Sequence, residues 1–456
     1  MTSCPYCGHI PSVELFRCEL CGGVYRVGGF PDRCNLCSRE ITHIRCGRCV
    51  KPGTIISGGF RPIETLEAGE EIYGSQGRTK VDEVVQHLYE GELVTIKALG
   101  LLPFSVTPDH EIFISTVSGK DWNRQVSNTY LKPAKDLEPV FRKSSSSHDL
   151  REGDFLIVPR QTGTIDSQEL SLRPWINGEA RLKRKTWPVN RDTAWLIGLY
   201  TADGCVSNKV RLYLGSEEQS TIDEAKRIIE ALGFKPNVKP VKGERCVEVQ
   251  LQSRVLARAF REWCGHSAKG KQIPDFIIDH IDPSIREGFL KGYLAGDGYA
   301  GINCWKASTA SLKLALQLQL LSTSLGSLPN IYIRAREESI LGRRVIKGGP
   351  QFLLEFPRRK HDFKIVVEQF ILTPLLKITR DPYRGRIFDA KTDQEVILLN
   401  NALTHNCGGK WPTHKDIPKL QNTREKELYR KLEMMNDESE SHRRRLKQFA
   451  IARQVR

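Results

Sequence analysis

The period of the apolar positions changes along the chain, and that change divides it. From Cys49 to about residue 160, short β-branched runs (EEIYG, ELVTIKAL, EIFIS, DFLIVPR) are separated by Gly, Pro and Asp, a pattern that predicts strands and tight turns and so an all-β region. Residues 192–372 mix helical and strand periods and predict an α/β region. A weak duplication runs through it: WLIGLYTADG, a strand-like KVRLYLG and a helix ending EALGF are followed by FLKGYLAGDG, another strand-like stretch and a helix ending STSLGS. β-type runs return at 377–406, the polar stretch at 166–191 reads as a linker, and TREKELYRKLEMM within the basic tail predicts a charged helix. Residues 1–48 carry too few apolar side chains to hold a core without metal.

Length and charge narrow the picture. A chain of 456 residues has room for two or three cores. Its net charge of +15 favours a phosphate-rich partner over an acidic protein or a membrane, with plain solubility as the simpler account. No apolar run is long enough to span a bilayer, and MTSCPYCGH lacks the charged and apolar regions of a signal peptide, so the expectation is a cytoplasmic protein with no membrane partner. Of the 13 cysteines, those at 4, 7, 18, 21, 34, 37, 46 and 49 form Cys-x-x-Cys pairs, which in a reducing compartment point to Zn²⁺ rather than disulfides.

Two stretches in the central region carry a physical signal of their own. Gly198 and Ala202, and likewise Gly292 and Gly296, lie four apart on one helical face, so two such helices could approach backbone to backbone. Each helix then ends in Asp-Gly, at Asp203 and Asp297. A carboxylate at a helix C-terminus opposes the macrodipole, and a bound cation would compensate it.

The segments CVKPGTIISGGFRPIETLEAGEEI and SVTPDHEIFI and the ending LTHNC, in that order, resemble an intein, a self-splicing insert. The resemblance implies a Hint splicing domain, an all-β horseshoe made of residues 49–165 and 377–406, interrupted by the α/β region and flanked by a zinc-ribbon N-extein (1–48) and a basic helical C-extein (407–456). It implies that Cys49 attacks the Arg48 carbonyl to form a thioester, with Thr107 and His110 orienting the scissile amide and protonating its nitrogen. Cys407 then takes the acyl group, Asn406 cyclises with help from His405, and Asp389 tunes the two nucleophiles. Where many inteins carry a further histidine, this chain has Glu395 and Val396, which bears on the rate of Asn406 closure.

LIGLYTADG and LKGYLAGDG likewise resemble the paired motifs of LAGLIDADG (DOD-type) homing endonucleases, which commonly sit inside inteins. This resemblance implies cleavage of a long double-stranded DNA site by a monomer, with Asp203 and Asp297 holding Mg²⁺ and Lys271 stabilising charge on the phosphate, unless Lys271 is simply a solvated surface lysine. The basic stretches RLKRK, RAREES and GRRVIKGG would follow the DNA backbone.

The flanks resemble a double zinc ribbon: Cys4, Cys7, Cys18 and Cys21 for one Zn²⁺, and Cys34, Cys37, Cys46 and Cys407 for the other, with an interleaved pairing left open. On this reading Cys49 is a nucleophile in the seat that Cys407 occupies as a zinc ligand once CGR is joined to CGGK. The joined host protein would serve nucleic acid or a larger assembly. Two other readings remain: a zinc-dependent nucleic-acid-binding protein with an inactive insert, and a domain that cleaves itself without ligating.

Overall fold

The computed structural model describes residues 15–17, 24–26, 48–118, 125–140, 153–176, 185–336, 339–341, 344–346, 348–358 and 363–406. Cys4, Cys7, Cys18, Cys21, Cys34, Cys37, Cys46, Cys407 and the basic tail lie outside them, as does most of RLKRK. Near the start, Leu15–Arg17 pairs antiparallel with Val24–Arg26.

The β region is a large mixed-length sheet to which strands between residues 55 and 159 and strands between 365 and 405 both contribute. Its strands run in the order Arg61–Pro62, Ile55–Ile56, Val396–Leu399, Ala402–His405, Glu111–Ser118, Asp154–Pro159, Phe370–Thr392, Arg78–Ala98 and Glu71–Tyr73. Arg78–Ala98 and Phe370–Thr392 form its antiparallel spine, with register shifts at Leu375/Lys377 and Lys391/Thr392. Such shifts bend a ladder and let the sheet curl. The strand Phe370–Thr392 pairs Phe370 with Pro159, so the β region takes the chain back before the expected residue 377.

The closing hairpin turns through Asn400 and Asn401, with φ of 48° and 72°. Two consecutive left-handed residues make the turn that suits hairpin twist, and asparagine tolerates that conformation. Both side chains are then used as ties. Asn400 accepts from the Ile55 amide at 3.3 Å and donates to the Pro103 carbonyl at 3.0 Å. Asn401 accepts from the Ser57 hydroxyl at 2.7 Å and donates to Leu316 O at 3.1 Å and Gln319 Oε1 at 2.9 Å.

The central unit consists of two similar halves. One contains α1 (Arg191–Asp203), α2 (Gln219–Ala231) and α3 (Arg254–Cys264); after the short α4 (Asp275–Ile278), the other contains α5 (Pro283–Asp297) and α6 (Leu312–Ser324). The first sheet runs Gly204–Val206, Val210–Gly215, Cys246–Leu251, Asn237–Pro240, and the second Tyr299–Ala300, Cys304–Thr309, Gly349–Pro357, Asn330–Arg336. Matched strand orders give the sequence duplication a structural form. The principal helices start at defined caps: Asn190 and Thr193 make a reciprocal capping box on α1, and Asp282 caps α5 ahead of Pro283.

The described parts of the expected linker, residues 166–176 and 185–191, are not bare. Glu169–Ser171 pairs with Thr186–Pro188, and Leu172, Trp187 and Val189 are buried. Trp187 stands edge-on to Phe260 of α3 at 5.4 Å, so burial of this large ring, absent from a polarity count, packs the segment onto the central unit. One apolar cluster continues from there through α1, α5 and α6 to Leu398 and Leu403 of the closing hairpin. A second fills the sheet around Val50, Ile96, Val106, Ile112 and Phe388. No described helix is long and apolar enough to cross a membrane.

Candidate functional site

Two sites emerge. The first brings the residues around Cys49 together with those around Asn406. Val50 and Phe388 exchange backbone hydrogen bonds at 2.8 and 2.9 Å, which sets Cys49 beside the strand carrying Asp389. The Cys49 N–H donates to Thr107 Oγ1 at 2.7 Å, and the Thr107 N–H and hydroxyl donate to the Cys49 carbonyl at 2.8 and 3.2 Å. The nitrogen of the Arg48–Cys49 peptide is thus held by a threonine. Cys49, Thr107, His110 and Asp389 are all essentially inaccessible to solvent. The turn to His110 is closed by its N–H donating to Thr107 O at 3.1 Å.

The last described strand brings the other junction alongside. Thr404 pairs with Ile112, so His405 comes next to Glu111. The His405 ring sits between two carboxylates, with Nδ1 3.9 Å from Glu111 Oε2 and Nε2 3.9 Å from Glu395 Oε2. Asn406 is buried, its N–H donating to Glu395 O at 3.1 Å and its side-chain amide to Thr392 Oγ1 at 3.2 Å. Arg48 reaches the same Glu111 from the opposite junction, Nη2 to Oε1 at 2.5 Å. Sequence reasoning did not single out Glu111 or Thr392. A carboxylate directly after His110 was visible, but only the pairing of Thr404 with Ile112 gives it a role.

The second site is the end of the α1–α5 pair. A Cβ built on Gly198 would lie 2.1 Å from Phe289 O, one on Gly292 1.9 Å from Trp195 O, and one on Gly288 2.5 Å from Arg191 O. The helices therefore touch through backbone at positions that only glycine permits. One on Gly296 would come within 2.8 Å of Asp203 Oδ2, so the carboxylate ending α1 rests beside the last turn of α5, next to Asp297.

Burial in a partly dry site raises both carboxyls. Asp203 is pushed up to about 7, by burial first, then by Asp297 and Glu218, with Lys271 opposing. Asp297 is also raised by burial, with Tyr293 and Lys271 pulling the other way. Lys271 is not a solvated surface side chain: it is buried, donates to Tyr200 O at 2.6 Å and Gly204 O at 2.8 Å, and lies 4.1 Å over the Tyr200 ring. Its ammonium thus satisfies carbonyls at the C-terminus of α1, and burial pushes it down to about 8.

Among the described residues, no group of three or more His, Cys, Asp or Glu is placed to hold a metal by itself. The aspartate pair supplies two hard oxygen donors whose mutual repulsion a divalent cation would relieve, which fits Mg²⁺ completed by phosphate and water oxygens. The outward faces of the two sheets carry partly or fully exposed Arg211, Tyr213, Lys239, Lys306, Tyr332 and Arg334. Of the stretches RAREES and GRRVIKGG, strand placement is described for Arg334–Arg336, Ser339, Arg344–Ile346 and Gly349, and among their basic side chains exposure is described for Arg334.

The architecture at this second site is that of an α/β unit with two paired halves meeting through glycine-faced helices. Residues 190–265 and 284–351 match the family model of a LAGLIDADG-like domain. Over 413 residues the chain is 25% identical to the ATP-dependent DNA helicase Hel308 of Thermococcus kodakarensis, covering 79% of this chain and 36% of the helicase. Over 324 residues it is 25% identical to an iron-sulfur cluster assembly SufBD family protein of Mycobacterium tuberculosis, covering 66% of this chain and 35% of that protein. The chain thus spans about a third of the length of these curated relatives. Among solved structures, the homing endonuclease I-DmoI in complex with DNA and Ca is similar at 17% identity and a TM-score of 0.28, over 38% of this chain and 85% of that one.

Proposed function

We propose that residues 49–406 are a self-splicing insert that carries a DNA endonuclease, and that excision joins Arg48 to Cys407. The observation that carries this reading is the sharing of Glu111 by Arg48 and His405, residues at opposite junctions of the insert. The relatives support it in a second way. A helicase and an iron-sulfur assembly protein have dissimilar tasks by name, yet each resembles this chain over only about a third of its length, as expected of a segment carried between unrelated hosts.

Each residue then has a chemical task. The Cys49 thiol adds to the Arg48 carbonyl, the C–N bond breaks, and the freed amine takes a proton that His110 would supply while the Thr107 hydroxyl holds the nitrogen. That hydroxyl accepts from the Cys49 N–H at 2.7 Å. Cys407, outside the described residues, exchanges with the thioester. The Asn406 side-chain nitrogen then attacks its own carbonyl, closing a succinimide and releasing Cys407, and an S-to-N shift restores a peptide bond. His405 faces that step with Glu111 and Glu395 on either side. The zinc ribbon rests on the cysteine spacing alone.

For the nuclease, Asp203 and Asp297 would hold Mg²⁺, which supplies activation of water and stabilisation of the leaving oxygen at a phosphodiester. The glycine contacts keep the two carboxyls together, and a cation between them would offset the cost of charging them in a partly dry site. Lys271 acts as a positioning residue by securing the end of α1. Since both halves come from one chain, a monomer suffices, and the exposed basic and aromatic side chains of the two sheets suit a DNA duplex.

Expression of the whole chain followed by mass spectrometry tests the splicing. The expected products are residues 49–406 and a joined 1–48/407–456, and Asn406→Ala is expected to abolish the joined product. A full-length wild-type chain that persists folded under reducing, metal-free conditions overturns the reading. Selection from a library of duplex sites with Mg²⁺ tests the nuclease, with Asp203→Asn expected to be inactive.

A further inference from the structure

Arg48 differs from every other residue at the first junction in one respect: on the splicing reading, on which this inference rests, it belongs to the host and leaves with it. Its contact with Glu111 is therefore a contact between enzyme and substrate. The pair is close and well shielded, Nη2 to Oε1 at 2.5 Å with only 10% and 16% of the two side chains exposed. An ion pair so enclosed discriminates by what it forbids, because placing an acidic side chain against a buried carboxylate costs far more than an exposed mismatch.

We propose that Glu111 is the specificity-determining residue for the host side chain preceding the insert, selecting a basic residue at position 48. Its placement suits that role. Glu111 stands directly after His110, so a side chain anchored on its carboxylate fixes the peptide that Thr107 already holds by the Cys49 nitrogen. Its other oxygen faces His405 at 3.9 Å, so the same group ties the host residue to the register of the second junction. The backbone contacts of Thr107 read no side chain, whereas Glu111 pairs directly with the guanidinium of residue 48.

The test isolates the first junction. The full chain with Asn406→Ala is incubated with dithiothreitol, and release of residues 1–48 is timed by mass spectrometry. Arg48→Glu and Glu111→Arg, each alone, are expected to slow release by about tenfold or more, the scale of a lost charge-assisted hydrogen bond. The two together are expected to recover to within about threefold of the parent, since the pair is restored with its charges exchanged. Arg48→Lys is expected to keep most of the rate. Recovery by the exchange excludes misfolding as the cause of the single defects. If the parent releases fragment but either single variant matches it, or the exchange is no faster than the slower single variant, the assignment of Glu111 fails and the splicing reading stands. If the parent itself releases nothing, both fail.

Discussion

The α1–α5 crossing makes a demand that one methyl group can test. At Gly292 an added Cβ would sit 1.9 Å from the Trp195 carbonyl oxygen and 2.7 Å from its carbon. Both are backbone atoms of a helix interior, so no rotamer change relieves the clash. Because a carbon–oxygen contact settles near about 3.3 Å, the helices would have to part by about 1.4 Å at that point. Overpacking of this kind costs about 1–3 kcal/mol, and the upper end applies here because the obstacle is backbone. A loss of about 3 kcal/mol lowers the melting temperature of a unit of roughly 150–250 residues by about 6–12 °C. The assay is thermal unfolding followed by far-ultraviolet circular dichroism, in a Cys49→Ala, Asn406→Ala background that keeps the chain in one piece. Gly349→Ala serves as the control, since a Cβ there meets nothing within 4 Å. DNA cleavage should fall by about 10²-fold in Gly292→Ala as the two aspartates separate, the usual cost of an ångström of misplacement. A Gly292→Ala chain that melts within about 2 °C of the control would refute the backbone-contact account.

Other outcomes follow from the same geometry. Asp203 is raised to about 7 in the folded chain, so proton binding favours the fold; that contribution is full below the unfolded carboxyl value near 3.8 and is lost as pH rises through about 7. In metal-free buffer, Asp203→Asn should therefore raise the melting temperature at pH 8 and flatten its dependence between about pH 4 and 7. Lys271→Met removes the donor to Tyr200 O and Gly204 O and should cost about 2 kcal/mol in urea unfolding, with the Asp203 titration moving further upward. Thr107→Val should slow dithiothreitol-dependent release of residues 1–48 by about 10–100-fold, with Thr107→Ser retaining most of the rate; an unaltered rate in Thr107→Val removes the hydroxyl from the mechanism.

Much of this was legible in one dimension because it follows from local periodicity. The four-residue spacing of small side chains marks the face on which α1 and α5 meet, and the Asp-Gly endings mark where their carboxyls come to rest. Polarity misled at 166–176 and 185–191, where Trp187 is buried and one buried ring removes more apolar surface from water than several polar residues can offset. The hydrogen bonds of Lys271 to the carbonyls of Tyr200 and Gly204 were not legible in the sequence, which gives the residue type but not its partners.

Local pattern determined the strands, the glycine-faced helices and the residue types able to do acyl and phosphoryl chemistry. Tertiary structure alone decided that Glu111 lies between Arg48 and His405 and that Asn401 ties the closing hairpin to α6. The reason is physical: alternation of side chains tells a strand which face to bury but names no partner strand, and the choice of partner is made by the collective burial of the whole sheet.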